Sequence, residues 1–220
     1  MKLNPATKWV SVKDADGIDM KTQISRLIVP ALVGFLASCG GGSGSAPVPS
    51  SVPDLPPPSF AELEQQTVSL FQNYTLQDIN DPAVLPVTGS VIYTGGMQLE
   101  NLSGGFQLAG QMQLNVDFMT DSLSGNVRNL VDTQETRYNG MITIGVGQID
   151  RMTVPANNER TFSAPLTGNV ASNMGAINVD GTMEGYFLGP DQESAAGFVT
   201  GTFASSTESA SLTGGFIGTR

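Results

Sequence analysis

The sequence predicts an all-β domain: a single eight-stranded antiparallel up-and-down β-barrel. Three observations predict it. First, Phe106 to Phe118, FQLAGQMQLNVDF, alternates strictly, with Phe106, Leu108, Gly110, Met112, Leu114, Val116 and Phe118 on one side and Gln107, Ala109, Gln111, Gln113, Asn115 and Asp117 on the other. Period two held over thirteen residues marks a strand with one buried face. Second, similar runs recur at Thr88–Thr94, Leu123–Val131, Gly140–Ile149, Arg160–Val170, Ala176–Leu188, Ala196–Ala204 and Ala210–Gly218, separated by turn residues such as Thr120-Asp121-Ser122 and Gly189-Pro190-Asp191. Strands at this spacing without intervening helices favour a barrel or a sandwich. Third, 20 glycines lie between Gly89 and Gly218, many inside the runs, where they permit the bends and close approaches of a small closed barrel.

Five segments precede or form this fold. Residues 1–19, MKLNPATKWVSVKDADGID, place three aspartates before a targeting signal and fit an upstream extension or a mis-assigned start, with translation beginning at Met20. Residues 20–38 run from Lys21 and Arg26 through the apolar stretch Leu27–Ala37 to small residues, the order of a secretory signal peptide. Eleven apolar residues are too few to span roughly 30 Å of hydrocarbon as a helix. Residues 39–58 are Cys39 followed by a Gly/Ser stretch that gives way to proline, a tether reaching from about 24 Å as a coil to about 59 Å as polyproline II. Residues 59–86 open on Ser59-Phe60-Ala61-Glu62, a capping-box pattern, and Phe60, Leu63, Leu70 and Phe71 fall on one face of a helix of about a dozen residues. One such helix should pack on the domain that follows. Residues 87–220 form the barrel.

Composition excludes several chemistries. The chain has no histidine and one cysteine, Cys39, so Ser-His-Asp triads, Cys-His nucleophiles and intramolecular disulfides are absent. An enzyme would have to work with carboxylates alone, for example a glycosidase using two of Asp117, Asp132, Asp150 and Glu184. No local signature supports that reading, and no catalytic residue or metal site is expected. After Cys39 there are five arginines, no lysine and 17 acidic residues, a balance that repels phosphate backbones, so no nucleic-acid partner is expected. An integral membrane barrel would show aromatic girdles, whereas the barrel region has only Tyr93, Tyr138 and Tyr186 and no tryptophan. An apolar interior and a polar outside are expected. The Gly-rich stretch Gly95–Gly105 lacks the lysine of a phosphate-binding loop and reads as a hairpin or barrel-edge connection.

Leu36-Ala37-Ser38-Cys39 resembles the lipobox of bacterial lipoproteins. The resemblance implies that Cys39 is the first mature residue and carries lipid such as palmitate; the alternative is a non-acylated signal with an incidental cysteine. Three acyl chains, at about 0.8 kcal/mol per buried methylene, exceed what stable anchoring requires. The implied location is the outer membrane, lipid-anchored, with display on the periplasmic or the cell-surface side left open.

Two stretches resemble the β-barrel domain of transferrin-binding protein B. LNVDFMTDSLSGNV, residues 114–127, is similar to its Asp-Phe…Ser-Gly hairpin, and VDGTMEGYFLGPDQESAAGFVTGTF, residues 179–203, to its Gly-Pro segment, followed by Gly214–Gly218. Asp117, Phe118, Ser124, Gly125, Gly185, Phe187, Gly189, Pro190, Glu193, Gly197 and Phe203 carry the resemblance. Phe118, Phe187 and Phe203 should fill the interior, and Asp117 and Glu193 should hydrogen-bond turns. The resemblance implies a lipid-anchored surface binding protein, a monomer whose barrel loops bind a protein or small ligand, with iron or haem acquisition as the specific form. A structural envelope lipoprotein without a soluble ligand is the alternative. The family's large members carry two lobes with handle domains, and this chain has one barrel. Haem ligation without histidine would fall to Tyr138, Tyr186 or a methionine such as Met152. The loop Asp150–Thr161, with two arginines and Met152, is the expected partner surface.

Overall fold

In the computed structural model the described residues are 57–74, 77–102, 105–152, 160–206 and 208–220. The signal peptide, Cys39 and the tether as far as residue 56 lie outside them, as does the centre of the Asp150–Thr161 loop.

The helix α1 (Phe60–Tyr74) begins where the capping box predicts it. Ser59 N–H donates to Glu62 Oε2 at 2.7 Å, and Glu62 N–H donates back to Ser59 Oγ at 3.3 Å, so two otherwise orphaned amides are satisfied. A 3-10 turn (Pro82–Val84) follows, capped by Asp81. Then come nine strands: β1 (Ser90–Asn101), β2 (Gln107–Asp117), β3 (Ser122–Asp132), β4 (Arg137–Tyr138), β5 (Ile142–Ile149), β6 (Phe162–Ser172), β7 (Gly175–Leu188), β8 (Ser194–Ala204) and β9 (Ser209–Thr219).

Every pairing is antiparallel, and β9 pairs back onto β1, which closes the ring. Eight strands make the barrel; β4 is a two-residue addition on the edge of β3. The predicted fold class is therefore the observed one. Register shifts interrupt the β2–β3, β3–β5 and β5–β6 ladders, the bulges by which a small sheet bends into closure.

Inward residues form one apolar core. Phe187 stands at its centre, with the rings of Tyr93, Phe118 and Phe162 at 5.9, 5.6 and 5.0 Å. Nearer the opposite end Phe106 meets Phe203 and Tyr138 edge-on at 5.5 and 6.1 Å. Phe118, Phe187 and Phe203 are all buried, as expected from the sequence. Each such ring contributes about 1.5–3 kcal/mol by burial, with roughly 0.5–1.5 kcal/mol more per well-placed aromatic pair.

One cross-strand row of the outer face is polar, although Ile92, Val146 and Phe198 are also exposed on the strands. Following the ladders from strand to strand, Thr94, Gln113, Asn126, Thr143, Thr167, Asp180, Thr202 and Ser211 stand in cross-strand register around the barrel. All but Asn126 are exposed. Hydroxyl and amide side chains in such a row suit contact with water.

Part of the outside is covered by α1. Its first turns, Phe60 and Leu63, pack on Ala109 and Val131, and its last turns, Leu70, Phe71 and Tyr74, pack on Leu188, Ala196 and Ile217. The helix thus docks on its own domain.

The Gly95–Gly105 expectation is corrected. Gly95 to Asn101 belong to β1, with Met97 and Leu99 buried, and only the short stretch after Asn101 forms the connection. These glycines serve packing rather than turning: a Cβ at Gly95 would strike the carbonyl of Ile217 on β9. Strand β1 accordingly runs seven residues further than the alternation around Thr88–Thr94 suggested.

Candidate functional site

The two ends of the barrel are built differently. At one end lie the β1–β2, β3–β5, β6–β7 and β8–β9 connections, and the chain enters the domain there. Arg137 donates to the carbonyls of Pro57 at 2.8 Å and Pro58 at 3.0 Å, and the Phe60 N–H donates to the Glu135 carboxylate at 3.1 Å. Asp132 organises this end: it is buried, accepts from the Gln134 and Thr136 amides at 2.8 and 2.9 Å, and accepts from the Tyr138 hydroxyl at 3.2 Å.

At the other end the segment leading to β1 folds over the mouth. The Asn80 N–H donates to Phe187 O at 2.9 Å, and Leu85 inserts into the core. Arg151 holds this cover in place. Its Nε pairs with Asp121 Oδ1 at 2.6 Å, and its remaining nitrogens donate to the carbonyls of Leu85, Pro86 and Phe118 at 3.0, 2.6 and 3.1 Å. A guanidinium suits this task because its fixed fork of donors reaches several acceptors at once.

Around that clamp stand exposed apolar side chains. Val84 and Val87 bracket the two bonded carbonyls of the cover, Met119 follows Phe118, and Met152 follows Arg151. Met152 is 90% exposed, which no folding requirement explains. The entry end also exposes Leu102, Met141 and Met174, but these sit on three separate connections. At the covered end, by contrast, these residues neighbour Arg151 or the groups it bonds, and that partly buried cation gives them a common centre.

The sequence-expected residues fall as follows. Asp117 caps its turn, accepting from the Met119 N–H at 2.9 Å, as expected. Glu193 does not: its carboxylate is tucked against Gly189, with Oε2 lacking a donor, and only its backbone carbonyl bonds, to Arg220 N–H at 3.1 Å. Asp150 accepts from Met152 N–H at 2.8 Å, and Glu184 pairs with Arg160. With Asp132 at the far end, the four carboxylates considered for hydrolysis do not converge, and each is engaged.

Tyr138 is buried at the entry end, Tyr186 lies on the outer face of β7 and Met152 is on the covered rim, so the candidate haem ligands are not gathered into one site. Burial, reinforced by Asp132 at Tyr138 and by Glu184 at Tyr186, raises both phenol pKa values above their ordinary range. That is the wrong direction for a phenolate ligand. No group of three or more acidic or thiol side chains that could hold a metal is present among the described residues. The two arginines of the Asp150–Thr161 loop are also not free partner contacts, since Arg151 is the clamp and Arg160 pairs with Glu184.

Sequence reasoning did not find Arg151 as a clamp, because its four partners lie 30 or more residues away. It located the loop that carries the clamp by its length and exposure. In comparisons with known proteins, no family model matches the chain and no curated protein matches it.

Proposed function

We propose that this protein is a lipid-anchored binding module of the outer membrane, held by acyl chains on Cys39 and presenting the Arg151-clamped rim to a protein partner. The observation that carries the reading is the opposition of the two ends. The chain reaches the domain at the end where Arg137 grips Pro57 and Pro58, so a membrane tether would leave the apolar rim at the far side. Exposed apolar groups rimmed by polar residues suit protein recognition, and methionine side chains adapt to a partner surface at little cost.

The interior supports the same view, because Tyr93, Phe162, Phe187 and Phe216 occupy it and a ligand would meet the outside. Among partners, the resemblance of residues 114–127 and 179–203 to transferrin-binding protein B makes iron- or haem-carrying proteins the first to test. A haem carrier would then be bound as a protein, through the rim, without ligation of its iron by this chain.

The test is binding of iron-loaded transferrin and haem-loaded carriers to intact cells displaying the wild-type chain or V87D/M119D/M152D. The reading expects saturable binding that the triple variant lowers at least tenfold at equal surface level. A pull-down returning only envelope proteins, unchanged in the variant, would favour the structural-lipoprotein alternative.

A further inference from the structure

Beside α1, on the outer face of β1, β2 and β3, lies a groove of about 380 Å³, and no carboxylate lines it. That volume is at the lower end of the roughly 300–1,000 Å³ typical of small-molecule sites. In a domain with 17 acidic residues after Cys39, an acid-free groove is notable for its charge alone. Its floor is a lattice of amides and one cation. Thr94, Gln113 and Asn126 stand in one row across three strands, and Gln111 pairs with Arg128 in the next, with Gln66 of α1 forming a wall.

Side-chain hydrogen bonds hold the lattice. Asn129, in left-handed backbone at φ 54°, donates to Gln111 Oε1 at 2.6 Å, and Gln113 Nε2 donates to Asn115 Oδ1 at 3.3 Å. The first bond occupies Gln111 Oε1 and leaves its NH₂ group to donate. Among the described residues the Arg128 side chain has no ion pair or hydrogen bond, whereas Arg137, Arg151 and Arg160 are all committed to carbonyls or carboxylates.

From this geometry we infer that the groove binds an acidic sugar: a carboxylate received by the Arg128 fork and neighbouring hydroxyls received by the amides. Amide side chains offer donor and acceptor together, which matches hydroxyl groups that do both. Arginine takes a carboxylate through two parallel bonds. A wholly anionic ligand would leave the amide acceptors unmatched, and a neutral sugar would leave Arg128 unused. The inference does not depend on the rim or on lipidation.

The experiment is NMR titration of the purified full chain in detergent with galacturonate, galactose, acetate, tri-galacturonate and a tetra-aspartate peptide. Galacturonate is expected to shift the Gln111, Gln113 and Asn126 side-chain amides saturably, with galactose and acetate at least tenfold weaker. R128Q is expected to weaken galacturonate at least tenfold, and R128K, which keeps charge but loses the fork, by an intermediate factor. Both variants change an exposed, unpartnered side chain and so keep the fold. Tighter binding of tri-galacturonate than of galacturonate would assign the site to a polymer, and equal binding to a free sugar acid. No saturable shift with either uronate, equal response to acetate, tighter peptide binding, or an unchanged R128Q would each overturn the inference.

Discussion

Thr67 of α1 stands directly over Gly96 of β1: a Cβ at Gly96 would fall on the Thr67 hydroxyl, which itself donates to Leu63 O at 2.8 Å. The helix therefore seats on the barrel at a point where the strand presents no side chain. G96A is expected to destabilise the protein by about 1–3 kcal/mol through overpacking. Adding T67A to G96A should recover more than half of that loss, measured by denaturant unfolding as a double-mutant cycle. Simple additivity of the two changes would show that the helix does not rest there.

Arg151 couples the cover to the rim. R151Q removes a charge-assisted pair and three bonds to carbonyls, at a partly exposed site where solvent offsets some of the loss. The expected cost is about 2 kcal/mol, lowering Tm by roughly 4–8 °C for a domain of this size. Hydrogen exchange should rise at Leu85, whose amide lies in the released cover, and remain unchanged in β8. A uniform rise throughout the barrel would contradict a local clamp.

Asp132 holds the entry end by accepting from two amides and one hydroxyl while buried. D132A leaves those donors without their acceptor and is expected to cost about 2–4 kcal/mol, whereas Y138F removes one bond and costs about 1 kcal/mol. Equal losses in urea unfolding would mean that the turn amides find other partners.

Tyr93 is buried and its hydroxyl donates to Gln192 O at 2.9 Å. Burial raises its pKa well above the ordinary 10, with Arg220 opposing. Above pH 10 the unfolded chain releases this proton while the folded chain keeps it, so stability falls as pH rises through that range and is unaffected below it. Tyr138 and Tyr186, raised in the same direction, add to the slope. Y93F should lose about 1 kcal/mol at pH 7 and show a shallower decline between pH 10 and 11 by guanidinium titration. An unchanged alkaline slope would remove Tyr93 from the account.

Much of the barrel was legible because its signals are local. Alternation in Phe106–Phe118 sorts inward from outward residues without knowledge of partners, and Ser59 and Glu62 announce the helix start within four residues. What escaped was non-local. Gly95 and Gly96 carry the signature of a turn, but β9 and Thr67 determine their use, and both lie far away in sequence or on another element. The two-residue β4 is too short for any periodicity to reveal. The Arg128 groove depends on β1, β2 and β3 being in register, which only the ladders establish.

The most direct test of the anchored-module account is incorporation of labelled palmitate into the wild-type chain and C39S in growing cells. The account predicts label in the wild type and none in C39S. Label that persists in C39S, or that never enters the wild type, would contradict it.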